Sequence, residues 1–177
     1  MSNKHTIHST HHHYGWDHSF APVMTAAPGD SVEFATIDAS GGQLTVKSSV
    51  ADVAALDFEK VNPVTGPVFI DGAEPGDVLK VTIESFAPSG WGWTAIIPGF
   101  GLLADQFPEP AFTTWTYDKT ELTPFAYGPG GRVPLQPFCG PIGLPPAPVC
   151  PHRVTPPRRG GWHPALRALA RGTVLSL

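Results

Sequence analysis

The chain has 177 residues, enough for one ordinary domain with its own core, and its 41% hydrophobic and 10% aromatic content excludes disorder. Its 21 prolines and 19 glycines exclude a fold built on long helices, so short apolar runs between turn residues make an all-β sandwich or barrel the simplest reading, one domain over 1–177. The net charge is −4 and no basic stripe carries interleaved aromatics, so nucleic acid is not an expected partner.

Residues 5–18 hold six of the eight histidines, His5, His8, His11, His12, His13 and His18. Alternate residues of an extended segment share a face, so His8, His11 and His13 cannot all converge without a bend. They read either as solvated polar residues on a first strand or as a source of one or two ligands for a divalent metal. A carboxylate such as Asp17 or Asp38 would complete that site. The same segment lacks the apolar core of a signal peptide, and no run approaches the roughly 18 apolar residues of a membrane span. A cytoplasmic protein is therefore expected.

Pro28-Gly29-Asp30 forms a turn ahead of an alternating strand over Ser31–Ile37, with Val32 and Phe34 on one face. The pattern returns at Pro75-Gly76-Asp77, where Leu79, Val81 and Ile83 alternate with Lys80, Thr82 and Glu84. Two such units suggest one structural element used twice, and they point to antiparallel β structure. Between them, Asp38-Ala39-Ser40-Gly41-Gly42-Gln43 reads either as a tight hairpin or as a close backbone approach framed by an acceptor and an amide. Leu44–Glu59 is the best helix candidate, with Val50, Val53, Ala54 and Phe58 at helical spacing and Ser48 or Ser49 as cap. Asn62–Pro67 is a turn segment and Val68–Ile70 a short strand.

Residues 90–101 read as an aromatic loop punctuated by glycine, suited either to line a pocket or to plug a sandwich; residues 105–109 could reach the same pocket. Thr113–Tyr117 alternates as a strand. Residues 128–164 are dominated by proline and glycine and allow only loop, turn or extended edge. Cys139 has no histidine nearby in sequence and reads as an inert buried thiol, and with Cys150 it makes no disulfide framework. Ala165–Ala170 offers a helical turn or two, and Thr173–Leu177 a last strand.

Six pieces in order carry a resemblance: Gly15-Trp16-Asp17, residues 23–30 (VMTAAPGD), 38–43 (DASGGQ), 62–77 (NPVTGPVFIDGAEPGD), 98–101 and 137–143 (PFCGPIG). Together they resemble the N-terminal portion of the acetamidase/formamidase family, from about His5 to Arg159. The resemblance implies a β-rich, jelly-roll-like core and hydrolysis of the C–N bond of small amides such as formamide or acetamide. Metal ions are associated with some members of that family, so a divalent ion, zinc or calcium, is the cofactor to look for; a homo-oligomer is a separate expectation that no residue pattern supports. The chain departs from the family twice. Family members continue well past Leu177, so an inactive fragment is the alternative reading. After Arg159 this sequence reads Gly160-Gly161-Trp162-His163-Pro164 where the family presents Gly-Gly-Asn and a nearby Asp, a pattern that a local reading-frame slip over 160–168 would give.

Amide resonance makes the carbonyl a poor electrophile, so a catalyst must polarise the oxygen, supply a deprotonated water and protonate the leaving nitrogen. No Gly-x-Ser-x-Gly elbow or Ser-x-x-Lys pattern is present, which leaves carboxylates, histidines and side-chain amides. The expected metal ligands are His13, Asp38 and Asp17, with Asp38 also holding activated water. Glu74 is the expected general base or acid, against its plain reading as a turn residue, while Asn62, Gln43 and Trp16 orient the substrate. A cupredoxin-like binding domain is disfavoured, because Met1 and Met24 precede both cysteines.

Overall fold

A computed structural model describes residues 3–120, 125–146, 152–154, 161–162 and 169–177. The strands in chain order are β1 (Lys4–Ile7), β2 (His12–His13), β3 (Gly15–Trp16), β4 (Met24–Ala26), β5 (Ser31–Phe34), β6 (Val64–Thr65), β7 (Val68–Ile70) and β8 (Lys80–Thr82). They continue as β9 (Trp91–Ile96), β10 (Ala111–Thr116), β11 (Phe125–Tyr127), β12 (Gly131–Val133), β13 (Ile142–Gly143), β14 (His152–Arg153), β15 (Gly161–Trp162) and β16 (Val174–Ser176). One short helix, α1 (Val50–Ala54), and one 3₁₀ turn, Phe58–Lys60, lie between β5 and β6. The fold is all-β. Among the described residues the strands pair two by two and none of these ladders closes into a barrel. No described helix is long and apolar enough to cross a membrane.

The two Pro-Gly-Asp corners are copies of one another. Asp30 N–H donates to the Ala27 carbonyl at 3.0 Å, and an Asp30 carboxylate oxygen accepts from Ala27 N–H at 3.0 Å. Asp77 N–H likewise donates to the Glu74 carbonyl at 3.0 Å, and the Asp77 carboxylate accepts from Glu74 N–H at 2.9 Å. A short acceptor side chain closing its own turn is why aspartate ends both motifs. The first corner leads into β5 and the second into β8, and Ser31 Oγ donates to Glu84 at 2.8 Å across the two units.

Their pairing differs from the antiparallel expectation. β4 and β7, the strands that precede the two corners, pair parallel, and β5 pairs parallel with β1. Equivalent strands of a repeated unit run in the same direction, and the long connection between β4 and β7 supplies the crossover that parallel pairing needs. β8 is antiparallel to β16 and keeps the expected alternation, Leu79, Val81 and Ile83 half-buried against exposed Lys80, Thr82 and Glu84. Phe34, expected inward with Val32, is exposed at the end of β5.

Two further expectations are corrected. Helix over Leu44–Glu59 shrinks to Val50–Ala54, because Thr45 and Ser48 hydroxyls bond nearby backbone N–H groups and hold residues 45–48 in a turn. Ser49 then starts the helix, its N–H and Oγ both donating to Asp52. Half of the aromatic stretch read as a loop over 90–101 is strand: Trp91–Ile96 is β9, the partner of β10 in the longest ladder described. Gly92 is there for close packing, since a Cβ would lie 2.8 Å from the Trp115 ring. The 128–164 segment holds only two- and three-residue strands where it is described, as its proline content requires. Cys150 and residues 155–160 and 163–168, which take in most of the expected helical turn and of the altered sequence after Arg159, lie outside the described residues. Among the described residues the buried apolar side chains are Ile7, Trp16, Ala26, Leu44, Val53, Val154 and Leu169, so the core joins the first third of the chain to its last.

Candidate active site

The loop Asp38–Gln43 is built around one carboxylate. Asp38 Oδ1 accepts from Ser40 N–H at 2.9 Å, from Ser40 Oγ, and from the indole N–H of Trp93 at 3.1 Å, while Oδ2 accepts from Gly42 N–H at 3.0 Å. Ser40 is fully buried and its Oγ accepts from Leu44 N–H at 2.9 Å. Gly41 and Gly42 take φ of 71° and 79°, a left-handed turn that disfavours other residues. This is a folded-back loop rather than a hairpin between strands.

The loop is clasped to residues 57–62. Gln43 Nε2 donates to the Ser40 carbonyl at 2.7 Å and the Asp57 carbonyl at 3.2 Å, and its Oε1 accepts from Asp57 N–H at 2.8 Å. Asn62 N–H donates to the Ala39 carbonyl at 2.8 Å. Gly41 lies so close to the Lys60 carbonyl that no side chain fits between them. Gln43, expected to orient substrate, thus spends both ends of its amide on backbone.

Asn62 has φ 52°, a positive-φ non-glycine residue, and such backbones concentrate at binding and catalytic sites. It stands in the wall of an open depression of about 990 Å³ whose sides are Phe58, Trp93, Ile96, Phe100, Leu103 and Phe107. The polar lining consists of Asn62, Thr94, the Trp93 indole and Arg153, whose guanidinium is engaged with Glu59 at 2.6 and 2.8 Å. The aromatic stretch therefore does line a pocket, and Phe107 of the 105–109 segment reaches it.

The other expected site residues fall elsewhere. His12 and His13 on β2 pair with Thr65 and Val64 of β6, just beyond Asn62, so the histidine strand flanks the site without lining it. His12 bonds the Ser9 carbonyl at 2.7 Å and the Tyr14 hydroxyl at 3.1 Å, in the bend that the histidine spacing demanded. His13 packs on Phe20 at 4.9 Å and edge-on to Trp16 at 6.3 Å. Its Nδ1 is buried with no hydrogen-bond partner among the described residues, and burial pushes its pKa below the usual histidine value, partly opposed by the Gly15 backbone. Trp16 is core. Asp17 caps a local turn through Ser19 N–H at 2.8 Å, the bond that lowers its pKa. Glu74 is exposed at the second Pro-Gly-Asp corner and does not line the depression. Burial raises the Cys139 pKa, so its thiol stays protonated.

As a metal set, His13, Asp17 and Asp38 do not fit. Among the described residues no three His, Cys, Asp or Glu side chains gather as ligands, and Asp17 and Asp38 are turned to their own loops.

Comparison with known proteins settles the family. The model of the Acetamidase/Formamidase family matches residues 1–173. The chain belongs to that family. Among acetamidase/formamidase relatives, a formamidase of Methylophilus methylotrophus is 33% identical over 111 residues, covering 59% of this chain and 27% of that protein. An acetamidase of Mycolicibacterium smegmatis is 28% identical over 149 residues, covering 77% and 36%. The crystal structure of an acetamidase from Bacillus halodurans superposes with a TM-score of 0.85 at 26% identity, covering 97% of this chain and 56% of that one. A gamma lactamase from Delftia acidovorans shares the fold, with a TM-score of 0.81 at 21% identity and shares of 97% and 57%. The chain thus corresponds to an N-terminal portion of the family, about a third of its curated relatives' length and little over half of the solved ones.

Sequence reasoning missed the Trp93–Asp38 bond and the Arg153–Glu59 pair. Their partners lie 55 and 94 residues apart in the sequence, too far for any local pattern to link them.

Proposed function

We propose that this chain forms one wall of an amidase site that hydrolyses the C–N bond of small linear amides to carboxylate and ammonia. The family match over residues 1–173 carries this reading. The geometry supports it through Asn62, whose side-chain amide can donate to a substrate carbonyl and accept from its nitrogen at the rim of an apolar hollow. Asp38 holds the loop, the Trp93 ring and, through Ala39, the Asn62 backbone in register. With four donors already on its two oxygens, it suits positioning more than proton transfer.

The depression has no carboxylate or histidine in its described wall, so it lacks the acid and base that amide cleavage requires. The chain by itself is therefore expected to release no ammonia from formamide or acetamide. The test is a chimera in which this chain replaces the matched portion of the Bacillus halodurans acetamidase. Ammonia release that Asn62→Ala lowers about tenfold or more is the expected result. A folded chimera inert toward a panel of linear amides would sink the reading. Metal content of the untagged chimera, measured before and after chelation, decides whether an ion belongs to the assembled site.

A further inference from the structure

The outer lip of the depression is unusually apolar for a free surface. Leu102 is 101% exposed, Phe100 58%, Leu103 53% and Phe107 50%, and Phe58 beside them is 44% exposed and packs on Phe100 at 5.7 Å. Large side chains clustered this way mark a surface that something covers. Two further observations say what. The hollow of about 990 Å³ matches a drug-sized ligand, far beyond what formamide or acetamide would fill, and its described wall holds no carboxylate or histidine. The solved relatives, aligned over nearly all of this chain, leave a little under half of their own length unmatched, since it covers 56% and 57% of them.

We infer that the Phe100–Phe107 lip is a docking surface for polypeptide equivalent to the part of the acetamidase/formamidase relatives beyond the matched region. Its seating buries Phe100, Leu102, Leu103 and Phe107 and shrinks the hollow to the size of a small amide. It also closes the site from bulk water and brings in the missing acid and base. Docking stands on the exposed apolar lip; the consequence for the hollow rests on the amidase reading above.

The experiment compares this chain alone with the chimera, reading amide hydrogen exchange over residues 100–107 and ammonia release separately. Exchange at the lip is expected to slow about tenfold or more in the chimera and to return toward the free rate with Leu102→Asp plus Leu103→Asp. Leu102 is fully exposed and Leu103 half so, and neither change disturbs the core of the free chain. Equal exchange at the lip in a folded chimera overturns docking. So does protection that appears in the chain alone as its concentration rises, which makes a second copy the occupant. Should the chimera precipitate, the same two pieces mixed as separate polypeptides give the same readout. Protection without hydrolysis keeps the docking surface and sinks the amidase reading, whereas hydrolysis without protection does the reverse.

Discussion

Gly41→Ala isolates the clasp that sets the candidate site. The new Cβ would run into the Lys60 carbonyl oxygen, well inside the about 3.5 Å of a comfortable heavy-atom contact. Either the Asp38–Gln43 loop or the backbone at Lys60 must retreat by more than 1 Å, and the Ala39–Asn62 hydrogen bond lies between them. The φ of 71° adds a left-handed penalty of about 1–2 kcal/mol. Gly42→Ala is the matched control. Its φ of 79° carries the same penalty, but its Cβ would meet only Ile37 Cγ2 at 3.7 Å, an ordinary contact. Gly42→Ala should therefore lose about 1–2 kcal/mol, and Gly41→Ala a further 1–3 kcal/mol, roughly, for the steric displacement. For a chain of this size each kcal/mol moves Tm by about 2–4 °C. Thermal unfolding followed by circular dichroism, with urea denaturation as a second measure, separates the two variants. Equal destabilisation would refute the packing of the loop against Lys60.

Gln43→Ala strands the Ser40 and Asp57 backbone groups and should cost about 2–4 kcal/mol in urea unfolding; Gln43→Glu should not rescue it, because an oxygen would face two carbonyls. Asn62→Gly relieves the positive φ and should leave Tm near that of the parent while abolishing the side chain's part in chimera activity; Asn62→Ala should lose both, and equal kcat/KM in parent and glycine variant would remove Asn62 from the site. Asp30 is held down at about 2 from its ordinary 3.8, first by Asn3 N–H, then by the His5 ring and Ala27 N–H. Its contribution to stability is complete above pH 3.8 and is lost as pH falls through about 2, so Asp30→Asn should flatten denaturation midpoints between those values. His13 is half-buried and its pKa is lowered by that burial, so the unfolded chain takes up its proton first and stability declines as pH falls through 6.5. A His13→Gln variant with an unchanged decline would show that another group is responsible.

Much of the local structure was legible in the sequence. The alternation of Leu79, Val81 and Ile83, the Val68–Ile70 strand, the strand expected over Thr113–Tyr117 and found at Ala111–Thr116, and the two aspartate-closed corners depend on neighbours within a few residues, so pattern alone reveals them. The family, too, was written in the order of six short motifs. Three-dimensional neighbours decided the rest. Hydroxyls competing for backbone N–H groups cut the expected helix to five residues, and a ring seated over Gly92 turned an apparent loop into the longest strand pair described.

The site divides along the same line. Asp38 and Asn62 stood out in the sequence because a carboxylate before two glycines and an asparagine before proline are locally unusual. Their roles were not: the indole that reaches Asp38 comes from 55 residues away, and Glu74 is left on an exposed corner by the pairing of strands far from it. Sequence by itself determined where the chain turns, because φ preferences and short-range hydrogen bonds are properties of a few adjacent residues. Only the tertiary structure decided which turns face one another, because that depends on strand pairing and side-chain burial across the whole chain.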